Sequence, residues 1–351
     1  MCDTIVDFYS SKPLMTMFNR RMTIQSLAAA LALLCSAGTA SAQAPIVIKF
    51  SHVVAPDTPK GQAAERFKVL AEQFTRGRVK VEVYPNSQLY KDKEELEALQ
   101  LGAVQMLAPS LAKFGPLGVK EFEAFDLPYI FPSKAALYAV TEGEIGRALL
   151  RKLQSKGITG LAYWDNGFKV MSANRPLHVP ADFRGLRMRI QSSTVLDAQM
   201  RALGARPQVT AFSEAYQALE TGVVDGTENP PSNMLTQRMH EVQKHLTVSH
   251  HGYLGYAVIV NRKFWDGLPV DVRAALARAM RDATAFEKTI AQRDNDRALE
   301  AIRKSGKTAI YYLTPAEQTQ WRAALLPVHR QMERRIGKEL IDAMSRQTAG
   351  K

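Results

Sequence analysis

The stretch IVIKFSHVVAPDTPKGQAAERFKVLAEQFTRGRVKVEVYPNSQLYKDKEELEALQLGAVQMLA (46–108) decides the fold class, because strand and helix patterns alternate along it. Residues 46–53 predict a buried strand and 79–84 an alternating one. Between them, Thr58 followed by Pro59 predicts a helix start, since Thr caps helices and Pro suits the first turn. A helix over 92–101 and a strand over 104–108 complete a βαβαβ unit, which is typical of α/β proteins.

A second unit of the same kind follows. The strands are predicted at 160–164, 186–190 and 255–261, and the helices at 193–203 and from an N-cap at Ser213 to 220. Two such units, between which the chain crosses more than once, predict two lobes with a cleft between them. We expect lobe I over 43–165, lobe II over 166–254, and a return strand and C-terminal helices over 255–351.

The C-terminal part contains one exceptionally long helix. Residues 269–305 hold no internal Pro or Gly, so the predicted helix exceeds the usual length and is expected to span both lobes. Thr314-Pro315-Ala316-Glu317 forms a capping box at the start of the helices that follow.

The N-terminus reads as a signal peptide over 1–42. Arg20-Arg21 precede an apolar run at 27–34, and Ala40-Ser41-Ala42 offers a cleavage site. The true start is expected at Met17 or Met22. Both cysteines, Cys2 and Cys35, fall in this segment, so the mature chain is expected to use no thiol chemistry.

Composition excludes several classes of function. Of 351 residues, 46% are hydrophobic and 23% charged, and no apolar run reaches the roughly 18 residues of a membrane span, which excludes a channel or permease. The net charge of +12 is scattered along the chain. Without a basic block interleaved with aromatic residues, no nucleic-acid partner is expected.

Motifs for catalysis, cofactors and metals are absent from the sequence. It holds no G-x-S-x-G, H-E-x-x-H or phosphate-binding loop. The pair His250-His251 lacks the spacing of metal ligands and reads as one buried and one cleft-facing histidine. Glu94-Glu95 lie on a predicted exposed helix and read as solvated. We therefore expect that the protein binds no cofactor or metal and is not an enzyme.

Polar residues at strand ends are the candidate binding groups. Arg187 and Arg189 share one face of a predicted strand, where a guanidinium can grip a carboxylate with two hydrogen bonds or be a plain surface charge. Asn229, in a predicted turn at 225–230, offers both donor and acceptor. The remaining candidates are His52 and Ser110, near strand ends, and Lys60, at the start of a helix. A helix N-terminus favours anions.

Longer segments resemble a known family. They are FSHVVAPDTPKG (50–61), VEVYPNSQL (81–89), GLAYWDNGFK (160–169), SANRPL (172–177), FRGLRMRIQSS (183–193) and AFSEAYQALETGVVDGTENP (211–230). Across the mature chain the sequence resembles the solute-binding subunit of tripartite ATP-independent periplasmic (TRAP) transporters, in the branch that binds four-carbon dicarboxylates (DctP-like).

The resemblance implies both architecture and function. The implied architecture is an α/β, two-lobed periplasmic binding protein fold, type II-like, with hinge strands and a long helix spanning both lobes. The implied function is a periplasmic receptor, expected to be a monomer. It closes on a small dicarboxylate and delivers it to TRAP membrane permease subunits.

The resemblance also implies roles for particular residues. Arg189 falls on the carboxylate-gripping arginine, Asn229 on a cleft asparagine and Phe212 on an aromatic lining the site. Lys169 occupies a second basic position, implied to hold the other carboxylate, and His251 a cleft histidine. The remaining implied contacts are Ser110, Lys60, His52 and Asn233.

Alternatives to this interpretation remain at this point. Pro109 replaces a glutamate of sialic-acid-binding relatives, which argues against that ligand. Pro231 replaces a tryptophan expected in the dicarboxylate branch, so a larger, aromatic, keto or sugar acid stays open. Two alternatives do not involve transport. The protein could be a periplasmic hydrolase or isomerase, or a sensory module.

Overall fold

Two mixed β-sheets divide the chain into two lobes. The computed structural model describes residues 44–350, so the predicted signal peptide lies outside the described residues. The strands are β1 (Ile46–Ser51), β2 (Val79–Tyr84), β3 (Met106–Leu107), β4 (Ile158–Phe168), β5 (Val170–Ala173), β6 (Arg187–Ile190), β7 (Arg206–Val209), β8 (Gly226–Asn229), β9 (His245–Val248), β10 (Tyr253–Asn261) and β11 (Ala309–Tyr312). The helices are α1 (Pro59–Phe74), α2 (Glu95–Gln100), α3 (Lys134–Thr141), α4 (Glu144–Lys152), α5 (Thr194–Ala202), α6 (Ala215–Glu220), α7 (Pro231–Thr236), α8 (Arg262–Asp266), α9 (Val270–Ser305), α10 (Pro315–Leu325), α11 (Pro327–Ile336) and α12 (Lys338–Thr348).

Sheet order defines the lobes. Lobe I holds the sheet β2-β1-β3-β10-β4, and lobe II the sheet β11-β9-β5-β8-β6-β7. In lobe I, β1 runs parallel to β2 and β3, whereas β10 runs antiparallel to β3 and β4. The chain passes between the sheets from β4 to β5 and from β9 to β10. We call these two connections, residues 168–170 and 249–252, the hinge; the Lys169 amide donates to the Gly252 carbonyl across it at 2.9 Å.

The long helix α9 packs against both lobes. It has 36 residues and so extends about 54 Å. It contacts α1 and β4 in lobe I and α7 in lobe II. Its buried positions, which include Leu276, Ala279, Ala283 and Ile290, recur at helical spacing, and Gly306 in the left-handed conformation ends it. Among residues 44–350 there is no helix with the length and apolar character needed to cross a membrane.

Each lobe has a core of its own, and two apolar clusters also join buried residues of both lobes. In lobe I, Phe50 lies against Phe67 and Trp164, with ring centroids 6.0 and 5.9 Å away. In lobe II, Phe183 meets Trp321 of α10 edge to face at 5.1 Å. The C-terminal helices divide between these cores: α10 joins lobe II, and α11 and α12 join lobe I.

Three local predictions are wrong. Phe212–Glu214 forms a 3-10 turn and α6 begins at Ala215, so Ser213 is not its N-cap. The helix predicted over 92–101 begins only at Glu95. The predicted turn at 225–230 contains strand β8, because its polar residues pair within the sheet between β5 and β6.

Candidate functional site

A small cavity lies between the lobes. Its empty space is about 280 Å³. We call it the interlobe cavity. Lobe I supplies Val53, Val54, Asp92, Ser110, Lys113, Leu254 and Tyr256, and lobe II supplies Gln191, Phe212, Asn229 and Asn233. Four of the predicted site residues therefore line it: Ser110, Phe212, Asn229 and Asn233.

Polar contacts across the cleft hold the lobes together around this cavity. The Phe212 amide donates to Asp92 Oδ2 at 2.6 Å, and Ser110 Oγ donates to Gln191 Oε1. Farther out, Gln199 Nε2 donates to the Asp126 carbonyl at 2.6 Å. The structure is thus the closed form of a two-lobed protein.

Two amide side chains form the lobe II floor of the cavity. Asn229 ends β8, and Asn233 follows in the first turn of α7. Asn233 Nδ2 donates to Asn229 Oδ1 at 3.3 Å, and both residues are about 1% exposed. The pair therefore presents fixed amide groups to the cavity rather than mobile ones.

Arg189 is buried behind the lining of the cavity, which it does not itself line, and it has no counter-charge among the described residues. Its Nε and Nη2 donate to the Thr210 carbonyl at 3.0 and 2.8 Å, and its guanidinium carbon lies 5.9 Å from the Phe212 ring centroid. Within residues 44–350 it forms no ion pair, and burial lowers its pKa. Arg187, two residues earlier, is half-exposed and bound to Asp225 at 2.6 Å. The two predicted arginines therefore differ, because Arg187 is paired with a carboxylate and Arg189 is not paired with one in the described chain.

Lys60 is a second buried cation without a carboxylate. It lies in the first turn of α1, where its Nζ donates to the Ala108 carbonyl at 2.9 Å and sits 3.7 Å from the Tyr256 ring centroid. It forms no ion pair in the described part of the chain, and burial lowers its pKa to about 7. Lys60 does not itself line the cavity, but the Tyr256 ring that it contacts does.

His52 is buried next to this lysine. Neither ring nitrogen has a hydrogen-bond partner among the described residues. Burial, followed by the charge of Lys60, lowers the pKa of His52 to about 3. The imidazole is therefore neutral, and it does not line the cavity.

Lys169 and His251 do not line the interlobe cavity and lie together in a separate cluster. Lys169 Nζ bonds to Glu228 Oε1 at 2.6 Å and His251 Nε2 to Oε2 at 2.8 Å, while Ser249 Oγ lies 2.7 Å from His251 Nδ1. Although burial alone would raise the pKa of Glu228, Lys169 and His251 lower it to about 2. The charge of Lys169 is therefore paired inside the protein, and Lys169 does not line the interlobe cavity. We call Lys169, Glu228 and His251 the hinge cluster.

The sequence interpretation missed several cavity residues. Lys113 binds the carboxylates of Asp92 and Glu95 and lines the cavity. Glu95 was expected to be solvated, but it is 1% exposed, because it pairs with this buried ammonium. The signal was available: Lys113 is the lone charge in the apolar segment 106–117.

The buried carboxyl group of Asp126 lies near the hinge cluster. From it we predict that the stability of the folded protein depends on pH. Asp126 Oδ2 is buried without a hydrogen-bond partner among residues 44–350, and burial raises the pKa of Asp126 to about 7, although the charge of Lys169 acts in the opposite direction. An ordinary Asp titrates near 3.8, so the folded state holds an extra proton from there to about pH 7. Stability contributed by this group is therefore lost as the pH rises through that window. Asp126→Asn removes the loss, so the melting temperature of the variant minus that of the wild type should increase from pH 5 to pH 8.

The control for this measurement is Asp197→Asn, a carboxylate that is 40% exposed and bound to Arg201. Calorimetry at several pH values checks both variants. A constant difference for Asp126→Asn between pH 5 and pH 8 would contradict the assignment.

Comparisons with known proteins agree with this geometry. Residues 50–335 match the family described as bacterial extracellular solute-binding protein, family 7 (DctP). The C4-dicarboxylate-binding periplasmic protein DctP of Rhodobacter capsulatus is 64% identical over 333 residues, covering 95% of this chain and 100% of that protein. A TRAP periplasmic solute-binding protein from Sulfurospirillum deleyianum, crystallised with succinate, has a TM-score of 0.84 and 45% identity, covering 86% of this chain and 99% of that one. Another from Pseudomonas aeruginosa, with L-malate, has a TM-score of 0.80 and 44% identity, covering 82% and 100%. This chain therefore belongs to family 7 of the bacterial extracellular solute-binding proteins.

Proposed function

We propose that this protein is the periplasmic receptor of a TRAP transporter. It binds a C4-dicarboxylate such as succinate or malate between its lobes and delivers it to the membrane permease subunits. One observation carries the proposal: Arg189 in lobe II and Lys60 in lobe I are fully buried cations without a carboxylate partner in the described chain.

Physical chemistry links those two cations to a dianion. A buried charge that lacks a partner is strongly destabilising, by several kcal/mol. Each carboxylate of the ligand supplies one missing counter-charge. The cavity itself presents the amides of Asn229 and Asn233, the hydroxyl of Ser110 and the paired charges of Lys113 and Asp92. Arg189 and Lys60 each contact an aromatic ring of the lining, Phe212 and Tyr256 respectively. A monocarboxylate leaves one cation unpaired, which gives the site its preference for two charges.

Closure follows from the same arrangement. Because the two cations belong to different lobes, a ligand that bridges them stabilises the closed state relative to the open one. Movement takes place at the hinge, where the chain crosses between the sheets. The protein performs no chemical step; it acts as a receptor, and the succinate- and malate-bound relatives support this role.

Only a small enclosed space lies between the lobes, and it suits a small acid better than the larger alternatives. Pro231, whose presence left the ligand size open, begins α7 and does not line the cavity.

Thermal unfolding with added acids tests the proposal. At a ligand concentration 100 times Kd, a receptor gains about 2.7 kcal/mol of stability. Succinate, malate and fumarate should each raise the melting temperature of the mature protein, and butyrate at the same concentration should have little effect. If none of the dicarboxylates shifts the transition, the proposed ligand class is wrong.

A further inference from the structure

A second opening adjoins the interlobe cavity. It is a groove with about 1000 Å³ of empty space, which we call the interlobe groove. Asp92, Lys113 and Gln191 line both the cavity and the groove. These three side chains are therefore the wall between the two spaces.

The wall consists of side-chain contacts, several of which cross between the lobes. Asp92 and Lys113 bind each other, and Asp92 also accepts the Phe212 amide. Gln191 closes the remaining part by accepting a hydrogen bond from Ser110 of lobe I. Gln191 is the neutral member of the wall, so its removal changes the shape of the site without changing its charge.

We propose that Gln191 determines ligand length: its side chain, bound to Ser110 across the cleft, ends the cavity at the size of a four-carbon acid. This inference rests on the proposed function and names the residue that sets its selectivity. A longer acid would have to extend into the groove, and the Gln191–Ser110 contact stands in that path when the lobes are closed.

The groove can accommodate the extra length. Part of its lining is apolar and includes Leu96, Leu117 and Val209, and its exposed charges are Lys93 and Glu97. Methylene groups of a longer diacid would be buried against the apolar part. Each additional methylene that finds such a place is worth about 10-fold or more in affinity.

Truncation of Gln191 tests the inference. The backbone there is fixed independently of the side chain, because the Ser193 amide donates to the Gln191 carbonyl at 2.9 Å. Calorimetric titration of the full mature protein should use succinate, glutarate and adipate. For Gln191→Ala we expect adipate to bind at least about 10-fold more tightly than to the wild type. Succinate should weaken by no more than about fivefold, the worth of one neutral hydrogen bond.

Two further variants sharpen the result. Gln191→Asn, which shortens the side chain by one methylene, should improve glutarate binding and leave adipate weak. Ser192→Ala is the matched control, since Ser192 lines only the groove, and its length preference should equal that of the wild type. The inference alone would be overturned by an unchanged succinate-to-adipate ratio in Gln191→Ala together with an unchanged succinate-to-glutarate ratio in Gln191→Asn. A wild-type protein that binds none of the three acids would overturn the proposed function, and the inference with it.

Discussion

Arg189→Ala is expected to reduce succinate affinity by about 100-fold or more. Truncating one partner of a buried, hydrogen-bonded charge pair costs roughly 2–5 kcal/mol. Arg189 is 1% exposed, so water cannot replace the guanidinium in the closed protein. Isothermal titration gives the affinity, and unfolding of the ligand-free variant shows whether the fold is retained.

Arg187→Ala is the matched control for that experiment. It removes the same side chain from the same strand, but Arg187 is half-exposed and paired with Asp225. Its loss should leave succinate affinity within a few-fold of the wild type, since surface ion pairs contribute at most about 1 kcal/mol. Equal affinities for Arg189→Ala and the wild type would remove Arg189 from the site.

Lys169→Met is expected to destabilise the ligand-free protein by about 3 kcal/mol or more. Removing one member of a buried ion pair leaves an uncompensated charge, which costs roughly 3–5 kcal/mol. The Glu228 carboxylate would keep only His251 as a partner. Lys169, Glu228 and His251 are all buried, so water does not replace the lost ammonium. Denaturant unfolding of the ligand-free protein measures the loss.

The double variant Lys169→Met/Glu228→Gln separates a structural role from a ligand contact. It removes both charges, and the new amide still accepts a hydrogen bond from His251. Most of the lost stability should return, and succinate affinity should stay within about 10-fold of the wild type, since replacing a whole buried pair is often neutral. If stability returns but succinate binding is lost, Lys169 contacts the ligand and our placement of it is wrong.

Local sequence signals account for the elements that were predicted well. Thr58 caps α1 by accepting the Gly61 amide, and Thr314 and Glu317 form the capping box of α10. Each of these contacts joins residues only three positions apart, so composition and spacing are sufficient to detect it. The 36-residue helix was visible for the same reason, as an interval free of Pro and Gly.

The missed features depend on residues that are distant in the sequence. Lys169 meets Glu228 59 positions later, and Asp92 accepts an amide 120 positions away. A lysine at a plausible binding position looks the same in the sequence whether its counter-charge is a ligand or a glutamate on another strand. Only the pairing of β5 with β8, which places those two strands side by side, distinguishes the two cases.

The position of β10 in the lobe I sheet has a consequence for synthesis. This strand, residues Tyr253–Asn261, lies between β3 and β4, so an inner strand of the first lobe is made after five of the six strands of the second. Strands so far apart in the chain pair slowly, because the entropy lost in closing the long loop between them precedes the stabilising contacts. A nascent chain that has not reached residue 261 cannot complete its first lobe, and exposed strand edges of this kind are what chaperones protect.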